Sequence, residues 1–184
     1  MARGLGTAGI GGVMARESWQ AVQAQRKGVP LIVGNLGPAT FGRDDNTLVL
    51  VDRVAAGHAL VERLGDRAVF VSGATKAKDR QDEYDEVADS TDKIIVATYG
   101  VAAVGINIPR IFNLVLIEPG KSFVRVIQSI GRGIRKAEDK DHVQIWDITS
   151  TCKFAKRHLT KRKQFYREAN YPFSAEKLEW MKIA

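Results

Sequence analysis

Five short apolar runs, spaced along the middle of the chain, constrain its fold more than any other feature. They are TLVLV at 47–51, AVFV at 68–71, IIVA at 94–97, NLVLI at 113–117 and VQIW at 143–146. Most are continuous and rich in β-branched residues, the pattern of strands buried on both faces. Helix-compatible stretches lie between them at 54–64, 76–89 and 122–135. Alternation of this kind predicts an α/β fold, a parallel sheet covered by helices. Right-handed crossovers then bring the C-terminal ends of the strands to one edge, where α/β sheets bind ligands.

Outside this region the pattern changes. Residues 1–45 hold nine of the 17 glycines, with a helix expected around Glu17–Arg26 and a strand-like Leu31–Val33. This segment reads as a linker or the remnant of a preceding domain. After Asp147 the sheet pattern stops. Residues 151–169 are helix-compatible, Pro172 breaks the run, and 175–182 suit a last short helix with Ser174 as its N-cap. The expected organisation is a segment 1–45, an α/β lobe 46–150 and a basic helical extension 151–184.

Charge sharpens this division. The 184 residues carry 28 Lys and Arg against 21 Asp and Glu, a net charge of +7. Seven of the basic residues fall in KFAKRHLTKRKQFYR, 153–167, which has no acidic residue; the other 21 are matched by the 21 acids. A protein that coats nucleic acid with its whole surface is excluded, and a charge-balanced lobe with a basic appendage is expected. No apolar run approaches the length that spans a bilayer. Cys152 is the single cysteine, so a reducing compartment, the cytoplasm (the host's if the chain is viral), is the natural setting. His58, His142 and His158 have no neighbours that suggest metal ligation, and no metal site is expected.

Two stretches carry chemistry. On a helix over 123–135, Phe123, Ile127, Ile130 and Ile134 fall within about 60° of one another as a core-facing stripe, and Gln128, Arg132 and Arg135 share the opposite side. Two guanidiniums and an amide on one face suit phosphate oxygens and charge on a transferring phosphoryl group. A solvated basic face has the same spacing, but Gly131 and Gly133 weaken a helix unless something needs the room. The second stretch, Ala97-Thr98 through Gly105-Ile106-Asn107-Ile108-Pro109, follows a strand directly. Its hydroxyl and small residues allow close approach of a phosphate, and equally make a tight turn.

In this order and separation, the two stretches resemble motifs V and VI of the C-terminal RecA-like lobe of superfamily 2 helicases. Leu48 to Arg53 resembles motif IV, and Val71-Ser72-Gly73 with Thr75 to Arg80 resembles the next strand-loop-helix. Within that superfamily the chain is similar to phage recombination helicases of the UvsW type, and the basic tail to their helical extension. The resemblance implies that Arg132 and Arg135 act as arginine fingers on ATP and that Gln128 couples nucleotide to DNA. It places Gly105 and Asn107 near the nucleotide, and Thr98, with Arg53, Ser72 and Gly73, along the nucleic-acid backbone, DNA in the first instance with RNA not excluded.

These residues contain no G-x-x-x-x-G-K-[ST] phosphate cradle. Asp82-Glu83-Tyr84-Asp85 lacks a preceding strand and reads as a solvated helix face, not an acidic metal-binding box. ATP and Mg²⁺ are therefore expected only through an N-terminal RecA-like lobe, in the same or a separate chain. In the tail, Phe154, His158 and Phe165 share a face expected to pack on the lobe, and Lys153, Lys156, Lys163 and Arg167 point away from it. Lys156, Lys163 and Arg167 are the expected backbone contacts there. The alternative is a non-catalytic module that binds nucleic acid or a helicase partner through the same surfaces.

Overall fold

The computed structural model describes residues 31–36, 46–104, 106–108, 110–120, 127–128, 131 and 143–178. In chain order they form β1 (Leu31–Leu36), β2 (Thr47–Val51), α1 (Val54–Leu64), a 3₁₀ turn (Gly65–Arg67), β3 (Ala68–Val71), α2 (Ala77–Asp89) and β4 (Ile94–Thr98). Then follow α3 (Tyr99–Val104), β5 (Asn113–Ile117), β6 (Gln144–Ser150), α4 (Lys153–Glu168) and β7 (Ser174–Leu178).

One sheet has the spatial order β3-β4-β2-β5-β6-β1-β7. The first five strands are mutually parallel, whereas β1 runs antiparallel to both β6 and β7. The apolar runs account for the parallel part. β2, β3 and β5 match them residue for residue, and β4 extends one residue further, to Thr98.

Strand alternation sorts the core into two layers. Val49, Val51, Ile94, Val96, Val115 and Ile117 pack with Ala56, Leu60 and Leu64 of α1. Leu48, Leu50, Ile95, Ala97, Leu114 and Leu116 face the other way, onto Tyr84 and Val87 of α2, Val101 and Ala102 of α3, and Tyr166 of α4. Gly57 lets α1 lie close to the sheet: a Cβ there would come within 2.0 Å of the Phe70 ring. The first helix ends at Gly65, whose φ of 68° is the left-handed conformation that favours glycine. At the N-terminal edge of the sheet, buried Asn46 donates to the carbonyls of Val87 and Ser90, each at 2.8 Å, and accepts from the Lys93 amide at 2.9 Å. It thereby ties the C-terminal end of α2 to the sheet, sharing the Val87 carbonyl with the Ser90 amide.

Three elements differ from expectation. β6 does not stop at Trp146 but continues to Ser150, because 145–150 pair with β1, and the polar side chains of Asp147 and Thr149 find a partner in Arg162 of α4. Residues 174–178, expected within a helix, form β7 through pairing with β1. The strand expected at Leu31–Val33 runs to Leu36 and pairs with β6, so part of the Gly-rich segment joins the sheet. The expected helices at 17–26 and, apart from Ile127, Gln128 and Gly131, at 122–135 lie outside the described residues.

Candidate functional site

The parallel topology collects the ends of β3, β4 and β2 at one edge. Val51 pairs with Thr98, and Val71 with Ala97, so Ser72, Thr98 and Val51 stand in line across three adjacent strands, with Asp52 and Arg53 one and two residues beyond Val51. Residues far apart in sequence thus become neighbours at strand spacing, about 5 Å. Four of the expected nucleic-acid contacts lie here: Arg53, Ser72, Gly73 and Thr98. Arg53 and Gly73 are exposed, Thr98 is half-buried and Ser72 is buried.

The loop after β3 is held by its own hydrogen bonds. The Ser72 amide donates to Thr75 Oγ1 at 3.0 Å, and the Thr75 amide donates to the Ser72 carbonyl at 3.1 Å. The Ala74 amide donates to Ser72 Oγ at 3.3 Å, and Arg80 Nη1 donates to the Thr75 carbonyl at 2.7 Å. Arg80, matched by the resemblance, therefore shapes this loop. A Cβ on Gly73 would meet nothing within 4 Å, so packing inside the lobe does not demand glycine there. Next along the edge, Glu118 follows β5 with φ 46°, an uncommon conformation for a residue with a side chain.

Among the residues expected at the nucleotide, Asn107 is exposed between buried Ile106 and Ile108, whose packing fixes the backbone at that point. Gln128 is helical and exposed, while its neighbour Ile127 packs against the core. That is the division of faces expected from the 3.6-residue period. Gly131 is exposed, with open space where a Cβ would stand. Gly105, Arg132 and Arg135 lie outside the described residues. In α2, Asp82 and Asp85 are exposed and Tyr84 packs inward, as expected of a solvated helix face. Among the described residues, no group of three or more His, Cys, Asp or Glu could hold a metal ion.

The basic extension is arranged differently from expectation. The face of α4 that meets the sheet carries Leu159, Arg162 and Tyr166. Phe165 and His158 are half-buried, but Phe154, expected to pack with them, is 70% exposed. Conversely Arg162, one of the seven basic residues, is only 3% exposed. Its Nε and Nη2 donate to the two carboxylate oxygens of Asp147 at 2.7 and 2.8 Å. Its Nη1 donates to the Pro119 carbonyl at 2.9 Å, and Nη2 also reaches Thr149 Oγ1. Tyr166 Oη completes the cluster, donating to Asp147 Oδ2 at 2.8 Å. Burial works against the Arg162 charge, but the hydrogen bonds and charge of Asp147 outweigh it and hold the pKa above the ordinary arginine value. Burial, then the Asp147 charge, pushes both Tyr166 and Tyr99 above the usual tyrosine range. The extension is therefore locked to β6 and to the loop after β5. Sequence reasoning missed this lock because Arg162 looks like its basic neighbours; the one hint was Asp147, an acidic residue directly after the apolar Ile145-Trp146.

Of the residues expected to contact phosphate, Lys156 and Arg167 are exposed and Lys163 is half-buried. Arg167 also lies over the Phe173 ring, 5.7 Å from its centre.

The profile of the helicase conserved C-terminal domain matches residues 32–137, more than half of the chain. The chain belongs to that family. It is 30% identical over 126 residues to the ATP-dependent DNA helicase uvsW of Enterobacteria phage T4, covering 67% of this chain and 25% of that protein. It is 30% identical over 104 residues to putative helicase 22 of Sulfolobus islandicus filamentous virus, covering 55% of this chain and 18% of that one. This helicase C-terminal lobe thus spans a quarter or less of the length of these relatives. Its fold is similar to the crystal structure of T4 UvsW, with TM-score 0.58 and 24% identity over 86% of this chain and 33% of that one. It is also similar to the C-terminal domain of the DEAD-box protein Dbp5, with TM-score 0.53 and 15% identity over 82% of this chain and 78% of that one. The five parallel strands and their helices are thus a RecA-like lobe.

Proposed function

We propose that this lobe is half of an ATP-dependent DNA helicase or translocase and that the edge formed by β3, β4 and β2 carries the DNA backbone. The observation that supports this reading is the juxtaposition of Ser72-Gly73, Thr98 and Arg53 on three adjacent strand ends. Hydroxyls, a glycine without side-chain bulk and one guanidinium suit phosphates and carry no sequence information. The exposed face of α4 extends the contact through Lys156, Lys163 and Arg167.

On this reading, ATP and Mg²⁺ are held by an N-terminal RecA-like lobe, in the same or a separate chain. Arg132 and Arg135 face the nucleotide from this side as arginine fingers. Gly105, Asn107 and Gln128 border it. The described members of that set fit the role, since Asn107 and Gln128 offer amides outward from backbone anchored by isoleucines. The nucleotide supplies the free energy of phosphoryl transfer, and this lobe supplies positive charge and a DNA track that moves with it. A cytoplasmic site of action belongs to the same proposal; no described helix is long and apolar enough to cross a membrane.

The test is DNA binding by the 184-residue chain, measured by fluorescence anisotropy across a range of salt. Combined Arg53→Ala and Thr98→Ala should weaken binding to unrelated sequences alike. Unchanged affinity would exclude the strand-end edge as the track, and tighter binding of RNA than of DNA would exclude DNA as the preferred substrate.

A further inference from the structure

Phe154 is a large apolar side chain that the fold leaves in solvent. It is 70% exposed, in the first turn of α4, while the inward face of the same helix is filled by Leu159, Arg162 and Tyr166. Nothing about this position demands an aromatic for packing. Its surroundings on the helix are basic. At about 100° per residue, Arg157 lies about 60° from Phe154 one turn on, and Lys161 about 20° away and roughly 10 Å along the axis. Both are exposed, as is Lys153 next to it. No ion pair engages Lys153, Arg157 or Lys161 among the described residues.

The position within the fold matters as much as the neighbours. β6 is parallel to β5 and ends at Ser150, on the same edge as the ends of β2, β3 and β4. Only Thr151 and Cys152 separate Ser150 from α4. The start of α4 therefore stands at the far end of the row that begins with Ser72 on β3. Four strand spacings, roughly 19 Å, separate β3 from β6.

We propose that Phe154 is a base-stacking residue: its ring receives an unpaired base of single-stranded DNA whose backbone is held by Lys153, Arg157 and Lys161. This rests on the nucleic-acid role of α4 proposed above and adds the form of DNA that α4 selects. An aromatic face accepts any base, whereas in a duplex the base faces are already stacked on one another. Basic side chains alone do not distinguish the two forms in this way. The charge surrounding the ring is what commits this surface to a polyanion, and the ring itself commits it to one with exposed bases.

The experiment compares binding of an oligodeoxythymidine and a blunt duplex of equal length to the full chain and its variants. Phe154→Ala should weaken oligodeoxythymidine binding roughly tenfold. Duplex affinity, the salt slope and the unfolding midpoint should stay as in the parent. Phe154→Trp should restore binding and add tryptophan emission that the oligonucleotide quenches. Equal loss on both DNAs, no loss on either, or no quenching in Phe154→Trp would overturn the assignment. So would binding of polyglutamate with the same dependence on Phe154, which would assign the ring to an acidic protein partner. Neutralising Lys156, Lys163 and Arg167 separates the two levels. If that leaves affinity and salt slope unchanged, the backbone contact proposed above for those three residues fails; if it lowers both while Phe154→Ala has no effect, only the stacking role fails.

Discussion

Arg162 shows how one side chain can change its meaning between sequence and structure. It belongs to a run of seven basic residues, yet it is buried against Asp147, Thr149 and the Pro119 carbonyl. Removing one partner of such a pair strands a charge in a dry site, which typically costs about 3–5 kcal/mol. Arg162→Ala should therefore destabilise the lobe by about that much in urea unfolding. In the double variant Arg162→Met, Asp147→Leu, the loss should be clearly smaller than the sum of the two single changes, because neither charge is left alone. Gly57 gives a second prediction. In an exposed helix interior, Gly→Ala gains about 1 kcal/mol of helix propensity. Here the new Cβ would collide with the Phe70 ring, at 2.0 Å. Overpacking costs about 1–3 kcal/mol, so Gly57→Ala should be net destabilising, and Phe70→Leu should recover part of the loss. A third concerns pH. Tyr99 and Tyr166 have folded pKa values raised above the ordinary 10.0. The stability they contribute is fully present below pH 10 and is lost as pH rises beyond it, since the unfolded chain releases those protons first. Unfolding midpoints should fall above about pH 10, and Tyr166→Phe should flatten that alkaline limb.

Among the elements, α4 divides its work between two faces. The inner face closes the core with Leu159 and Tyr166 and locks onto β6 through Arg162. The outer face carries unburied charge. Neutralising Lys156, Lys163 and Arg167 together should lower DNA affinity and reduce the slope of log K against log salt by about 0.7–0.9 for each phosphate that the variant no longer neutralises. Arg167 over Phe173 and half-buried Lys163 should contribute less than exposed Lys156, and single variants titrated at low salt would rank them. The helical period found the amphipathic character of α4 but misplaced its inner face, because three aromatic residues at helical spacing outweighed a single leucine among charges. β7 is the opposite case. SAEKL has little strand preference, and only pairing with β1 makes it a strand. Its partner β1 lies more than a hundred residues away, beyond the reach of any local pattern.

For the molecule as a whole, the proposal makes this chain one side of a nucleotide cleft. The pure chain should then show no Mg²⁺-dependent ATP turnover, with or without DNA, in a phosphate-release assay. Appreciable turnover that Arg132→Ala abolishes would contradict the need for a second lobe. The sequence by itself determined the parallel core. Runs such as TLVLV and NLVLI are too apolar to face water and too short for helices, so burial on both faces follows wherever they are placed. It also carried the resemblance to the family, through the stretches from Ala97-Thr98 to Asn107 and from Gln128 to Arg135 at their separation. Only the tertiary structure decided which charges are exposed and which polar residues meet. Arg162 and Lys161 are equivalent to any pattern of charge, but one faces Asp147 and the other water. Ser72, Thr98 and Arg53 are collected at one edge only when β4 takes its place between β3 and β2. Phe154, which spacing alone assigns to the core, is left in solvent because Leu159, Arg162 and Tyr166 already fill the side of α4 that the sheet covers. Periodicity specifies that a helix has two faces; the surface it docks against decides which one is buried.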